Sequence, residues 1–198
     1  MKNLVAIAAF VISTLITHAQ EHKAQLLMQP ANWEFERFPL PPAFAPSITY
    51  KGVEELRFAP GMFVKDSSLY FTYVFVVQLD DVVSISEAEI RDYLLNYYRG
   101  LCRVTAKDRK LVVDTTQITV SVKEQRNLPA NEKIYDASAD IFGVFADGAP
   151  VKLNLEIKAL ADSPGRRTYL YILASPREKS DPTWNTLLQL RGEFRLPG

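Results

Sequence analysis

The stretch Leu69-Tyr-Phe-Thr-Tyr-Val-Phe-Val-Val-Gln-Leu79 decides the fold. It consists almost entirely of aromatic and aliphatic residues, many of them β-branched, and contains no glycine or proline, which is typical of a β-strand. One alternate set, from Leu69 to Leu79, is entirely aromatic or aliphatic, and the other set is half apolar. Because successive side chains of a strand point to opposite faces, we expect a central strand that is covered on both sides.

The segment after this strand predicts an amphipathic helix that packs on it. Ser86 and Glu89 have the spacing of a capping box, in which each side chain binds a free backbone N–H of the other residue. Ile85 and Ile90 are placed as a hydrophobic staple. Apolar residues then recur with helical spacing, at Ile90, Leu94, Tyr97 and Leu101. We expect Gly100 to end the helix in a left-handed conformation and residues 103–110 to form a charged connection.

The rest of the chain predicts more strands and a closing helix. A short strand is expected around Val53–Phe58, and four successive strands within 112–123, 134–146, 151–159 and 167–174. Asp147-Gly148 is a hairpin signal, and Asp181-Pro182 is typical of a helix start. The sequence therefore predicts an α+β fold, an antiparallel sheet of about five to six strands with two helices packed on it. We assign it to a single domain at 47–198.

The closing block resembles a known family. Arg167-Thr-Tyr-Leu-Tyr-Ile-Leu-Ala-Ser-Pro176, followed by Trp184–Arg195, is similar to the end of PsbP-like domains. Those domains also finish with a strand, a short loop and a helix that carries an aromatic residue near its end. The preceding order of helix and strand meander is similar too. The resemblance implies an extracytoplasmic accessory or binding module, and it transfers no site residues.

The first residues predict export. Lys2 and the apolar run Leu4–Ile16 precede the small residue Ala19, which is the pattern of a signal peptide at 1–19. Cleavage near Ala19 would leave a periplasmic or secreted protein of a bacterial envelope. The alternative is an uncleaved membrane anchor, but the apolar run is shorter than the roughly 20 residues that a membrane-spanning helix needs. We expect no transmembrane segment in the mature chain.

Composition excludes several partners and chemistries. With 23 basic and 23 acidic residues and no basic block, the chain does not predict nucleic-acid binding. The two histidines, His18 and His22, both precede the predicted domain, so a serine or cysteine nucleophile there would lack the usual base. The single cysteine, Cys102, is interpreted as a small buried residue. We therefore predict no catalytic residue, no metal site and no cofactor.

Carboxylates alone could still support a hydrolase that acts on glycans. Glu54 and Glu55 are adjacent, so on a strand they point to opposite faces, and we interpret them as surface charges. Asp136 and Asp140 share a strand face, but four residues span roughly 13 Å, which exceeds the separation in glycosidases. The hydrolase alternative requires two carboxyls about 5–10 Å apart in a cleft, one with a raised pKa.

The segment 20–46 is an extended proline-rich and aromatic arm. Four prolines alternate with aromatic residues between Trp33 and Pro46, a composition that disfavours helix and central strand. The arm either packs on the domain's own surface or docks on a partner. In the second case the protein could be a structural envelope protein that forms oligomers through the arm.

The candidate binding residues combine the arm with the end of the helix. Tyrosine and arginine are favoured in binding patches, and they cluster at Tyr93–Arg99. We predict a ligand or partner site where this helix end approaches the arm, formed by Trp33, Arg57, Tyr97, Tyr98 and Arg99. The other interpretation is of buried rings with hydroxyls in water. The leading hypothesis is a non-enzymatic exported binding or accessory module, whose partner is an envelope protein or a small ligand.

Overall fold

A computed structural model describes residues 25–129, 132–162 and 164–196. Its helices are α1 (Glu87–Asp108) and α2 (Pro182–Glu193). The strands are β1 (Glu34–Leu40), β2 (Gly52–Phe58), β3 (Tyr73–Asp80), β4 (Thr119–Glu124), β5 (Lys133–Phe142), β6 (Pro150–Asp162) and β7 (Arg167–Ser175). The described strands form one antiparallel sheet in the order β1-β2-β3-β7-β6-β5-β4. The α+β class and the antiparallel sheet are confirmed, but the sheet has seven strands rather than five to six.

The additional strand is β1, which lies inside the proline-rich arm. It pairs antiparallel with β2, with Glu34 opposite Phe58 and Leu40 opposite Gly52. Proline weakens a central strand because it cannot donate a ladder hydrogen bond, but an edge strand needs bonds on one side only. Pro39 is therefore compatible with β1, since the strand is at the edge of the sheet.

The sheet is covered on both faces, and β3 shows the alternation most clearly. Phe75 and Val77 belong to the apolar cluster under α1, whereas Val74 and Val76 belong to the cluster under α2. These side chains are all inaccessible to solvent, which confirms a central strand. The strand begins at Tyr73 rather than at position 69, because the residues before it form turns.

The capping box at the start of α1 is confirmed, but the predicted end is wrong. The Glu89 N–H donates to Ser86 Oγ at 3.3 Å, and the Ser86 N–H donates to Glu89 Oε2 at 2.8 Å. The helix continues past Gly100 to Asp108, so the expected charged connection forms its last turns. Gly100 has a packing role instead, because the chain that follows β1 crosses the helix there. A Cβ at this position would lie 2.3 Å from the backbone oxygen of Phe44.

Replacing Gly100 by alanine is expected to destabilise the protein by about 1–3 kcal/mol, because a backbone segment must move. Helix propensity alone predicts the opposite, a gain of about 1 kcal/mol. Gly192 in α2 is the matched control, since nothing lies within 4 Å of a Cβ there. Urea denaturation should show Gly100→Ala less stable and Gly192→Ala at least as stable as the parent. A stabilising Gly100→Ala substitution would contradict the close contact.

Neither helix in the described part of the chain combines the length and the apolar character that a bilayer crossing requires. The predicted signal peptide at 1–19 lies outside the described residues and stays a prediction.

Candidate functional site

An open cavity of about 210 Å³, here called the aromatic cavity, lies on the α1 face of the sheet near the β1 edge. The sheet forms its floor, because one alternate set of side chains on neighbouring strands points to this side. The floor residues are Phe38 of β1, Leu56 and Phe58 of β2, and Tyr73 of β3.

The walls come from segments that are distant in the chain. Phe44 follows β1, Tyr97 and Leu101 come from α1, and Phe145 belongs to the β5–β6 connection. The loop between β2 and β3 closes the remaining side with Met62, Phe63 and Phe71. The cavity therefore exists only when the arm, the helix and two loops are all in place.

Several of the rings around the aromatic cavity contact one another edge to face, and others meet at tilted angles. The Phe44 ring lies 6.0 Å from that of Phe38 and 5.0 Å from that of Tyr97, both in T-shaped geometry. Across the cavity, the rings of Phe63 and Phe145 are 5.1 Å apart in the same geometry. Such contacts stabilise aromatic pairs beyond simple burial, so the cavity walls are preorganised.

Phe71 occupies a strained backbone conformation beside the cavity. Its φ of 51° lies in the left-handed region, which bulky residues avoid. The ring is completely buried, and the Phe71 N–H donates to the Met62 carbonyl at 2.9 Å. Strain of this kind persists where the surrounding structure enforces it, and it is common at binding sites.

Glu36 is the only charged residue among the described residues that line the aromatic cavity. It belongs to β1, on the same face as Phe38, and it is exposed to solvent. Partial desolvation and the nearby charge of Glu34 raise the pKa of Glu36. Glu36 therefore places an acidic side chain at the mouth of the cavity.

Glu54 lies on the same face of the sheet and is completely buried. Its carboxyl accepts hydrogen bonds from the hydroxyls of Tyr93, at 3.0 Å, and Tyr97, at 2.9 Å. Burial outweighs these bonds and raises the pKa of Glu54 to about 8, so the carboxyl is protonated at neutral pH. The interpretation of Glu54 as a surface charge is wrong, because α1 covers this part of β2.

Glu55 is buried too, on the opposite face. Its Oε2 accepts the backbone N–H groups of Leu26 and Leu27 at 2.8 and 2.7 Å, and its Oε1 lies 2.9 Å from Arg37 Nη1. The surface interpretation is therefore wrong for Glu55 as well, although the two glutamates do point to opposite faces as expected. Glu55, Arg37 and Arg57 lie on the face opposite Glu54, and we call these three residues the charged clasp.

The structure separates the predicted binding residues into two groups. Trp33 and Arg57 lie on the α2 face, where Arg57 Nη1 donates to the Trp33 carbonyl at 3.0 Å. Tyr97 and Tyr98 are buried on the α1 face, and the Tyr98 hydroxyl is hydrogen-bonded to that of Tyr73 at 2.8 Å. The sheet thus lies between the arginine and the tyrosine-rich helix.

Arg99 points toward the segment before β4, where its Nη2 donates to the carbonyls of Thr116, at 3.3 Å, and Ile118, at 3.4 Å. Of the five predicted residues, only Tyr97 lines the aromatic cavity. The binding roles of the others stay a prediction.

Sequence reasoning missed most of the aromatic cavity. Its residues come from distant segments, and only their folding together creates the site. One signal was present: aromatic residues recur at short intervals from Trp33 to Phe63 and again from Tyr70 to Phe75. A segment with this many rings either fills a core or lines a site, and here it does both.

Cys102 is buried on α1, with its Sγ 3.7 Å from the Phe142 carbonyl oxygen. Burial raises the pKa of the thiol to about 11, so it is protonated at neutral pH and shielded from reagents. Over the described ranges, no group of three histidine, cysteine, aspartate or glutamate residues is placed to hold a metal ion.

The fold and the site together define an antiparallel α+β domain with an open aromatic cavity. Comparison with protein-family models, with curated proteins and with solved structures gave no match. The similarity to PsbP-like domains therefore stays a prediction from sequence.

Proposed function

We propose that this protein is an exported, non-enzymatic binding module that holds an apolar group of its ligand in the aromatic cavity. The observation that carries the proposal is the cavity itself. Protein interiors are close-packed, and voids larger than a water molecule are few. An open recess of about 210 Å³ lined by rings exposes apolar surface to water until a ligand covers it.

The size of the cavity limits what it can take. Pockets for drug-sized ligands are usually about 300–1,000 Å³, whereas a cavity of about 150 Å³ admits benzene. A volume of about 210 Å³ therefore suits one ring or a compact alkyl group. The ligand is then a small molecule or one anchoring group of a larger molecule.

Toluene is a suitable neutral probe for this proposal. It is expected to bind saturably to the mature protein and to shift the amide NMR signals of residues around Tyr97 and Leu101. Replacing Leu101 by tryptophan should weaken toluene binding at least about tenfold, because the larger side chain occupies the cavity. Leu95→Trp is the matched control, since Leu95 is half-buried on the same helix but does not line the cavity.

Two outcomes would contradict the proposal. One is the absence of any saturable shift in the parent protein. The other is equal weakening by the substitutions at Leu101 and Leu95, because that would place the bound toluene elsewhere or report general disruption.

A carboxylate hydrolase acting on glycans is the second candidate, and one observation favours it. Glu36 and Glu54 share a face on neighbouring strands in diagonal positions, which places such residues about 7–8 Å apart. The raised pKa of Glu54 also fits a general acid. However, Glu54 is fully buried and both of its oxygens accept tyrosine hydroxyls, so a substrate does not reach it. This candidate would be favoured if the parent protein hydrolyses nitrophenyl glycosides and both Glu36→Gln and Glu54→Gln abolish this activity.

The proline-rich arm does not favour the hypothesis of an oligomer-forming envelope protein. The arm pairs with its own chain as β1, and Trp33 is buried against the α2 face. Deleting Trp33–Pro46 would therefore remove a strand of the sheet and part of the aromatic cavity, so the deletion does not separate assembly from folding.

A further inference from the structure

The aromatic cavity is lined mainly by aromatic rather than aliphatic side chains. Of the twelve described residues that line it, eight are aromatic, three are leucine or methionine, and one is Glu36. A cavity meant only to exclude water needs no such excess of rings, because aliphatic side chains fill and line apolar sites equally well. Aromatic rings differ from aliphatic groups in one respect, since their faces carry negative electrostatic potential.

The rings that line the cavity lie at large angles to one another. In the T-shaped contacts of Phe44 with Phe38 and Tyr97, the planes of adjacent rings are nearly perpendicular, at 78° and 85°. The wall therefore contains aromatic rings in more than one orientation. Ring faces around a small volume attract cations, above all ammonium groups that carry alkyl substituents.

The charge at the mouth has the sign that complements a cation. Among the described residues, Glu36 contributes the only formal charge of the lining, and Glu34 lies two residues away on the same strand face. None of the ion pairs recorded for residues 25–129, 132–162 and 164–196 involves Glu36. Its carboxylate is thus available to a ligand, and it opposes the entry of an anion.

We propose that the aromatic cavity binds a small organic cation, a quaternary or alkylated ammonium group, with its alkyl groups against the rings and its charge facing Glu36. This inference rests on the proposed function and names the chemical class of its ligand. An alkylated ammonium group suits the cavity because it has few or no N–H donors, and the lining offers few hydrogen-bond acceptors. A phosphate or carboxylate group on the ligand has no cationic partner in the lining and would project outward.

Choline and 3,3-dimethylbutan-1-ol form the decisive pair of probes, because they have nearly the same shape and differ in charge. Calorimetric or NMR titration of the mature protein should show choline binding at least about tenfold more tightly than the neutral alcohol. Leu101→Trp should weaken choline binding, whereas Leu95→Trp should not.

Two substitutions separate the contribution of the carboxylate from that of the aromatic rings to the preference for choline over the neutral alcohol. Glu36→Gln should weaken choline binding about fivefold and leave binding of the neutral alcohol unchanged. Phe63→Leu keeps apolar surface but removes a ring face at a half-exposed position, so it should weaken only choline binding. Glu193→Gln is the matched control for charge: it removes one exposed carboxylate from α2, and the hydrogen bond from Gln189 can persist.

The outcomes distinguish this inference from the proposed function. Equal or tighter binding of the neutral alcohol would overturn the cation assignment, and so would choline binding that is unaffected by Glu36→Gln and Phe63→Leu. In both cases saturable toluene binding would still support the aromatic cavity as a site. If toluene also fails to bind, the proposed function fails with the inference. Flotation with phosphatidylcholine vesicles, competed by choline, would assign the cation to a lipid headgroup, whereas choline binding without flotation would assign it to a free molecule.

Discussion

Raising the pH from 5 to 8 is expected to lower the free energy of unfolding by about 3 kcal/mol through a single side chain, Glu54. The carboxyl is fully buried on β2, and burial raises its pKa to about 8 in the folded protein. In the unfolded chain the same group returns to its ordinary pKa near 4.5. The folded state therefore holds a proton that the unfolded state has released throughout this pH range.

The sign of the effect follows from proton binding. Stability rises with pH only where the unfolded state binds more protons, and for Glu54 the folded state binds more between pH 4.5 and pH 8. The stability contributed by this group is fully present below about pH 4.5 and decreases by about 1.4 kcal/mol per pH unit up to about pH 8. Above that pH both states are ionised and the dependence disappears.

Glu54→Gln tests this account, because glutamine keeps the shape, can accept from one of the Tyr93 and Tyr97 hydroxyls and donate to the other, and does not titrate. Urea denaturation at several pH values should show a steep decline for the parent and a nearly flat profile for the variant. All other titrating groups are present in both proteins, so their contributions cancel in the difference. Parallel profiles would contradict a protonated Glu54.

Replacing Glu55 by alanine is expected to destabilise the protein by about 3–5 kcal/mol, because two buried backbone N–H groups lose their acceptor at about 1–3 kcal/mol each and the ion pair with the partly exposed Arg37 is lost. The substitution removes the carboxylate that lies against Arg37 and that accepts the Leu26 and Leu27 N–H groups. These contacts hold the first described residues across the α2 face, where Leu27 is buried. Hydrogen exchange at the Leu26 and Leu27 amides should accelerate more than the change in global stability explains.

Glu55→Gln separates the charge from the hydrogen bonds of the charged clasp. Its amide oxygen can still accept the N–H groups of Leu26 and Leu27, while the attraction to Arg37 is lost. We expect a loss of about 1–2 kcal/mol, since Arg37 is partly exposed and regains some solvation. If Glu55→Ala is as stable as Glu55→Gln, the hydrogen bonds from the Leu26 and Leu27 N–H groups contribute nothing to the free energy of unfolding, which would contradict this account.

The sequence predicts those parts of the fold that depend on local rules. The alternation in β3, the capping box of α1 and the hairpin around Asp147-Gly148 each follow from residues that are close in the chain. Asp181 accepts a hydrogen bond from the Thr183 N–H at the start of α2, as its N-cap position predicts. Local signals of this kind need no knowledge of the tertiary structure.

The missed features depend on partners that are far away in the chain. Glu54 looks like a surface charge until Tyr93 and Tyr97, about 40 residues later, are placed over it. Gly100 looks like a helix end until Phe44 is placed against it. Pro39 argues against a strand until β1 is known to be at an edge.

The aromatic cavity has the same origin, because its lining comes from β1, β2, β3, α1 and three connecting segments. Each ring looks like an ordinary core residue when taken alone. Only the space left between the rings, and the single carboxylate of Glu36 at its mouth, indicate a binding site.

A crystal structure of the mature protein soaked with toluene tests the central claim most directly. We predict electron density for one toluene molecule between Phe44, Phe63 and Tyr97, and no such density in crystals of Leu101→Trp treated in the same way. A cavity that is closed by repacking of Phe63, or that stays empty at saturating toluene, would contradict the assignment of the aromatic cavity as a binding site.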